Sequence, residues 1–178
     1  MNKKFLSLFA TVAALSALGI GCASGGPQKM TDAQQTGVRT EVTQAMHAWI
    51  GSWERLDFDG VMKAMADTPD FVFCDVDGKQ YDRAAFRKSV TEMLANCSAE
   101  KVETKKERVY VLAPDAALYV WLGSVEFTQK DGSILRVDPY SASFLFKKFG
   151  QNWQIVTQHE SAPPPQALKP AELEPKKK

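Results

Sequence analysis

The sequence predicts an α+β fold in which three N-terminal helices pack on one face of a strongly curved, mainly antiparallel sheet. Apolar residues recur at the helical period within residues 32–65 and 82–96, and they alternate with polar residues, as in strands, from residue 102 onward. The strand-like segments are long and the turns between them are short, so neighbouring strands must run antiparallel. Helices followed by such strands are typical of a helical layer covering one sheet face.

The first 21 residues have the pattern of a secretory signal peptide. Lys3 and Lys4 provide a positively charged start, and a largely apolar run extends from Phe5 to Ile20. This run is short for a membrane-spanning helix and ends in small residues, which is typical of a cleaved signal. Residues 1–21 are therefore excluded from the predicted fold.

Cys22 directly follows this run, in the sequence Leu-Gly-Ile-Gly-Cys. The sequence resembles a bacterial lipobox, although Gly19 stands where that motif usually has leucine. The resemblance implies that Cys22 becomes the mature N-terminus and carries lipid, with a polar linker over residues 22–31. The alternative is ordinary signal cleavage near Cys22. Because Ala23 follows the cysteine, we expect a lipid-anchored protein of the bacterial cell envelope, at the outer membrane and facing the periplasm.

The C-terminal segment, residues 162–178, differs in composition from the rest of the chain. It contains five prolines and ends in three lysines, which favours solvated chain over a packed core. We therefore expect a disordered tail after a single folded domain over residues 32–161. The chain has a net charge of +1, and without its two basic ends the domain is slightly acidic. This balance argues against nucleic acid as a partner.

Three helices are predicted in the first half of the domain. Thr31 offers an N-cap for the first helix, Asp57 or Asp59 for a short second helix, and Asp82 for a third that ends near residue 96. The apolar residues on one face of the first helix are Val38, Val42, Ala45, Met46, Trp49, Ile50, Trp53 and Leu56.

The strands follow a simple order. A short strand is predicted at residues 71–74, and four long strands are predicted at residues 102–112, 116–128, 134–148 and 152–160. Pro139 interrupts the third long strand. Because proline cannot donate a hydrogen bond to a neighbouring strand, we expect a bulge or an edge position there, which would help the sheet to curve.

Two regions of the sequence resemble a known family. They are Trp53–Asp67 with Phe71-Val-Phe and Gly78, and Ser143–Lys148 with Gly150 and Trp153–Ser161. On these residues the chain resembles the NTF2-like superfamily in its SnoaL-like branch, over about residues 32–161. The resemblance implies a cone-shaped fold with an internal pocket, often in a homodimer. Members include ketosteroid isomerase, scytalone dehydratase and polyketide cyclases, together with many non-catalytic binding domains.

Three polar residues are the candidates for chemistry. His159 is an even number of residues from Trp153 and Ile155, so all three side chains should lie on the same face of the strand, toward the pocket. There His159 could bind an anion or act as a general base. The alternative is that His159 orders the end of the last strand. Asp138 and Tyr140 are two residues apart on the preceding strand, so their side chains should lie on the same face. A carboxyl group for proton transfer beside a hydrogen-bond donor would have this arrangement. The alternative is that Asp138 and Pro139 only form a turn or bulge.

Five aromatic residues are expected either to fill the core or to line an apolar pocket: Trp49, Trp53, Phe73, Tyr119 and Trp121. In an oxidising compartment Cys74 and Cys97 could form a disulfide, or Cys97 could be a buried, inert thiol. No Cys or His spacing indicates a metal site, and no motif indicates a cofactor.

These observations favour a binding protein for a small apolar or amphipathic ligand or for a partner protein. The second alternative is a cofactor-free isomerase, dehydratase or cyclase, with Asp138 or His159 as base and Tyr140 as hydrogen-bond donor. The third is a structural dimeric subunit of an envelope assembly, its cone filled by its own side chains. The expected partners are the membrane, through the N-terminal lipid, and a second copy of the chain.

Overall fold

The computed structural model of the protein describes residues 29–168. The helices are α1 (Asp32–Glu54), α2 (Phe58–Ala64) and α3 (Arg83–Asn96). The strands are β1 (Val72–Cys74), β2 (Gln80–Tyr81), β3 (Cys97–Ala113), β4 (Ala116–Gln129), β5 (Ile134–Phe149), β6 (Asn152–Ser161) and β7 (Gln166–Ala167). The predicted signal peptide, Cys22 and the terminal lysines lie outside the described residues.

Each helix begins where the sequence supplies a capping side chain. The Thr31 hydroxyl accepts a hydrogen bond from the backbone N–H of Gln34, and Gln34 Oε1 accepts one from the Thr31 N–H at 2.8 Å, which forms a capping box. Asp57 and Asp82 each accept from the backbone N–H three residues further on. The predicted starts of the helices are confirmed, and Asp57 rather than Asp59 is the second cap.

The strands form one sheet in the order β2-β1-β6-β5-β4-β3, with β7 paired to β5. The pairing of β1 with β6 is parallel, and the other pairings between strands are antiparallel. The helix α1 packs against β3, β4 and β6, and α3 packs against β1, β2 and β3. The predicted α+β architecture, with three helices on a curved sheet, is therefore confirmed.

One hydrophobic core fills much of the space between the helices and the inner face of the sheet, which is the face toward the helices. Val42 and Met46 of α1 and Tyr119, Phe146 and Ile155 of the sheet are all at most 1% exposed. Full burial of apolar side chains of this size contributes roughly 1.5–3 kcal/mol each. Within residues 29–168 no helix is both long enough and apolar enough to cross a membrane.

Three of the long strands contain bulges, at each of which one extra residue interrupts the pairing register. β3 has three extra residues, Ser98, Lys105 and Leu112. In β6 the extra residue is Val156, and in β5 the pair Asp138 and Pro139 lies opposite the single residue Ser124. An extra residue reverses which alternate side chains face the helices, and it also bends the strand. The bulge predicted at Pro139 is confirmed, with β5 in the interior of the sheet.

The segment after β6 is part of the fold. Residues 162–168, which we call the C-terminal strap, return along the sheet. β7 pairs with Leu135 and Arg136, and the Leu168 N–H donates to the Ile134 carbonyl at 2.9 Å. Since β6 pairs with β5 only from residue 141 onward, the first part of β5 has a free edge that the strap occupies. The expected solvated tail is therefore wrong for residues 162–168, and residues 169–178 lie outside the described range.

Candidate functional site

A cavity of about 260 Å³ lies between the helices and the inner face of the sheet. Residues from α1, α3, the four long strands and the C-terminal strap line it. Most of the wall is apolar, which gives the cavity an affinity for flat or hydrophobic groups. The aromatic lining residues are Trp49, Trp53, Phe73, Phe86, Trp121, Phe127, Tyr140 and Phe144.

The aromatic side chains hold one another in fixed orientations. Trp49 makes edge-to-face contacts with Trp53 and Phe144, with ring centroids 5.8 and 5.3 Å apart. Trp121 contacts the Tyr140 ring in the same way at 5.8 Å. Such contacts stabilise aromatic pairs by about 0.5–1.5 kcal/mol beyond burial. The wall is therefore largely formed before any ligand binds.

Gly123 is needed for the position of the Trp121 ring. A Cβ atom at position 123 would lie 2.2 Å from the Trp121 ring and 2.1 Å from the Glu103 carbonyl oxygen. Any side chain at this position would therefore displace the indole, whose Nε1 donates to the Thr104 hydroxyl at 2.9 Å.

One part of the cavity wall is polar. It consists of the side chains of Asp75, Glu100, Tyr140, Gln158 and Glu160. The Tyr140 hydroxyl and Gln158 Nε2 both hydrogen-bond Glu160. Glu100 Oε2 and Gln158 Oε1 are buried without a hydrogen-bond partner in the described part of the chain. Since buried polar atoms are almost always paired, these two oxygens are the points where the wall can hydrogen-bond a ligand.

Burial changes the acidity of this polar wall. Burial, together with the nearby carboxylates of Glu54 and Glu160, raises the pKa of Glu100 to about 8. Burial also raises the pKa of Glu160 to about 7, against the opposing effect of the Tyr140 hydrogen bond. The pKa of Tyr140 lies well above its usual value, again chiefly because of burial. Two carboxyl groups in the cavity therefore titrate near neutral pH.

The expected orientation of His159 is wrong. The side chain is exposed and is absent from the cavity wall. Val156 is the extra residue in β6, so the inner positions change from Trp153 and Ile155 before the bulge to Gln158 and Glu160 after it. His159 therefore points to the outer face of the sheet.

The expected pairing of Asp138 with Tyr140 is also wrong. The β5 bulge places Tyr140 in the cavity wall and Asp138 on the other side of the sheet. There Asp138 hydrogen-bonds Lys105, and Arg136 at 2.9 Å, and these two cations lower its pKa. The predicted catalytic residues His159, Asp138 and Tyr140 therefore do not converge.

Four of the five predicted aromatic residues line the cavity, namely Trp49, Trp53, Phe73 and Trp121. The exception is Tyr119, which is fully buried beside Phe146 and Phe144 and whose hydroxyl hydrogen-bonds Glu107. Tyr119 lies nearer the start of β4 than the cavity-lining residues and belongs to the core.

The cysteines do not form a disulfide. Cys74 is half-buried and Cys97 is buried, and both thiols are free. Burial raises the pKa of Cys97, which keeps it a protonated and unreactive thiol. Of the two alternatives open from the sequence, the structure has the inert thiol.

Sequence reasoning missed Glu100, Gln158 and Glu160. Glu100 stands in a charged stretch of β3 that is typical of a solvated strand face. Gln158 and Glu160 flank His159, and simple alternation from Ile155 would place both on the outer face. The only available signal was their position beside a histidine at the end of an apolar strand, and it does not reveal the bulge at Val156.

The sequence and the fold were compared with known proteins. The SnoaL-like domain family matches residues 42–165, which is more than half of the chain. None of the curated proteins matches the chain significantly.

Solved structures with the same fold are numerous. An NTF2-like superfamily protein from Salmonella enterica serovar Typhimurium is 18% identical, with a TM-score of 0.65 over 72% of this chain and 93% of that one. An NTF2-like protein of unknown function from Pseudomonas putida is 22% identical, with a TM-score of 0.60 over 72% and 88%.

A hexachlorocyclohexane dehydrochlorinase (LinA, type 2) is 7% identical, with a TM-score of 0.67 over 82% of this chain and 99% of that one. At these identities the structural matches establish the fold alone. The family match shows that the chain belongs to the SnoaL-like domain family, and its helices and curved sheet have the fold of the NTF2-like proteins.

Proposed function

We propose that the protein binds a small, largely apolar molecule with one polar end in the cavity. The observation that carries this proposal is the cavity itself, which has an aromatic wall and a polar wall with unpartnered oxygen atoms. A purely structural subunit would have a filled cone, so the open volume favours a binding protein over that alternative.

The size of the cavity limits the ligand. Its volume of about 260 Å³ lies just below the range of roughly 300–1,000 Å³ that holds drug-sized molecules. A molecule with one or two rings fits this space. The ring would contact Trp49, Trp53 and Trp121, and its polar group would contact Glu100 and Gln158.

Screening the purified full chain against small aromatic compounds tests this proposal. Ser89 lies on α3 in the cavity wall, whereas Thr91 is on the exposed side of the same helix. We expect compounds that raise the melting temperature of the wild-type protein and of Thr91→Phe, because a ligand specific to the folded state stabilises it. Ser89→Phe should abolish this shift, because its ring fills the cavity.

The proposal fails if no one-ring or two-ring compound shifts the melting temperature. It also fails if Ser89→Phe responds like Thr91→Phe, since binding would then occur elsewhere. Isothermal titration calorimetry on each hit provides the stoichiometry, which should be one ligand per chain.

A proton-transfer enzyme is the second candidate function, and the contact between Glu160 and Tyr140 favours it. Burial raises the pKa of Glu160 to about 7, where a carboxylate is an effective general base. Glu160 would take a proton from carbon beside a carbonyl group and return it to another carbon. Tyr140 would donate a hydrogen bond to the carbonyl oxygen. The dehydrochlorinase neighbour is an enzyme on the same fold, although at 7% identity.

Deuterium uptake into phenylacetone in D₂O, followed by NMR, tests this second candidate. We expect the protein to accelerate exchange beside the carbonyl group and Glu160→Gln to remove the acceleration. Tyr110 is exposed on the sheet and absent from the cavity wall, so Tyr110→Phe is the matched control for Tyr140→Phe. Exchange at the uncatalysed rate with the wild-type protein would eliminate the enzymatic alternative.

We also propose that the domain is held at the bacterial envelope by lipid on Cys22. The support is the sequence alone: the charged start, the apolar run and the cysteine that follows it. In this proposal the linker to residue 31 separates the membrane surface from α1, and the cavity faces the periplasm.

A further inference from the structure

The charges on the cavity wall have one sign. Asp75, Glu100 and Glu160 line the cavity, and among the described residues no lysine, arginine or histidine does. Glu54 of α1 also lies close enough to Glu100 to raise its pKa. Buried carboxylates normally have a cationic or multiple hydrogen-bonding partner. Glu160 accepts hydrogen bonds from Tyr140 and Gln158, but Glu100 has neither kind of partner among the described side chains.

The unpartnered atoms in the polar wall need hydrogen-bond donors. Glu100 Oε2 and Gln158 Oε1 are acceptors, and Gln158 is only 2% exposed. The third unpartnered atom in the wall, Trp49 Nε1, is a donor on α1. It would require an acceptor elsewhere on the ligand. Gln158 Oε1 accepts in any state and Glu100 Oε2 accepts once its carboxyl group is ionised, so the polar wall itself fits a hydrogen-bond donor.

Aromatic rings stand beside these acceptors. Phe73 is the register partner of Gln158 across the parallel pair of strands, and Trp121 contacts the Tyr140 ring. The faces of aromatic rings attract cations, most strongly where water is excluded. Carboxylates and aromatic rings around one small volume form the kind of site that binds an ammonium group.

We infer that the ligand of this cavity is an organic cation, a small amine whose ammonium group lies against Glu100, Gln158 and Glu160. This inference rests on the proposed binding function and names its ligand class. A metal ion is the other cation to consider. Within residues 29–168, however, no three His, Cys, Asp or Glu side chains are grouped closely enough to hold one.

A neutral ligand is the competing explanation, because protonated Glu100 and Glu160 could donate hydrogen bonds to it. The two explanations predict opposite pH dependence. The groups that face the two glutamates are Glu54 from α1, Asp75 after β1 and Tyr140 from β5. None of these side chains carries a positive charge. An ammonium ligand should bind more tightly from pH 6 to pH 9, as both glutamates lose their protons, while a neutral acceptor should bind less tightly.

Three compounds of the same shape test the inference by calorimetry on the full chain: phenylpropylamine, phenylpropanol and phenylpropionate. At pH 8 we expect the amine to bind at least about tenfold more tightly than the alcohol, and the carboxylate not to bind. Glu100→Gln and Glu160→Gln should each weaken the amine about tenfold and leave the alcohol within about twofold. Glu92→Gln, on the exposed side of α3, should change neither.

Each other outcome contradicts the inference. If the alcohol binds as tightly as the amine, or if neither glutamine variant weakens the amine, the ligand is not a cation and the binding function stands. If none of the three binds and the aromatic panel gives no Ser89→Phe-sensitive hit, the proposed function fails together with the inference. Tighter binding of the amine at pH 6 than at pH 9 would assign the site to a neutral ligand.

Discussion

At the scale of single residues, the two cavity glutamates are the most unusual feature of the protein. Glu100 and Glu160 are placed in an apolar cavity without a cationic partner, and burial raises both pKa values. Most carboxylates in folded proteins have the opposite shift, as Asp138 does beside Lys105 and Arg136. A destabilising arrangement of this kind is typical of a binding or catalytic site rather than of a structural one.

The stability of the protein should therefore fall as the pH rises. In the unfolded chain the glutamates ionise near pH 4.3, but in the folded protein Glu160 and Glu100 keep their protons to about pH 7 and 8. Between these values the folded state binds more protons, so the free energy of unfolding decreases with increasing pH and becomes level above about pH 8.

Substituting either glutamate should flatten this dependence. We expect Glu100→Gln to be more stable than the wild type at pH 8 by roughly 1–3 kcal/mol and close to it at pH 4. Denaturant unfolding at a series of pH values measures the effect, and Glu92→Gln is the exposed control. If the free energy of unfolding changed with pH in the same way for the wild type and Glu100→Gln, the result would contradict the buried position of this side chain.

At the scale of strands and helices, the sequence predicted the elements well and the directions of their side chains less well. The capping residues Thr31, Asp57 and Asp82 mark the helix starts because local chemistry determines them. The strands are similarly evident from alternation and short turns. These features depend on neighbours in sequence, which is why one chain sufficed to predict them.

The bulges could not be predicted in the same way. Pro139 indicates the bulge in β5, because proline has no backbone N–H to donate to the neighbouring strand. Nothing in the sequence around Val156 indicates the bulge in β6. A one-residue shift exchanges the two faces of a strand. Simple alternation therefore places His159 in the cavity and would place Glu160 outside it, whereas the structure has the reverse.

The C-terminal strap was missed for a related reason. Its prolines indicate extended, solvated chain, but an extended chain can also cover an apolar opening. Ala162, Pro163 and Pro165 line the cavity, and the hydrogen bonds of β7 to β5 hold them there. Whether the extended segment stays in solvent or covers the opening depends on the free edge of β5. That edge is a property of the assembled sheet.

At the scale of the whole molecule, the resemblance to a family predicted the cone and its internal cavity. The ligand depends on the side chains that line this cavity, which the resemblance does not specify. The predicted homodimer stays a prediction. The surface available to it is the outer face of β3 and β4, where large apolar side chains are exposed: Tyr110, Leu112, Val120 and Leu122.

Attachment of the whole molecule to a membrane is tested by Cys22→Ser. Because lipid on the cysteine is the proposed anchor, this variant should appear in the soluble fraction of a bacterial lysate, while the wild-type protein sediments with membranes. Cys74→Ser is the control, since that thiol belongs to the folded domain. Retention of Cys22→Ser in the membrane fraction would exclude the lipid anchor.

The distribution of tryptophan has a practical consequence. Trp49, Trp53 and Trp121 line the cavity. The fourth tryptophan, Trp153, lies outside the cavity, where its Nε1 donates a hydrogen bond to Glu41 at 2.7 Å. Three of the four intrinsic fluorophores therefore surround the same small volume. Their emission spectrum is an internal, label-free reporter of whether that volume is occupied in a purified sample.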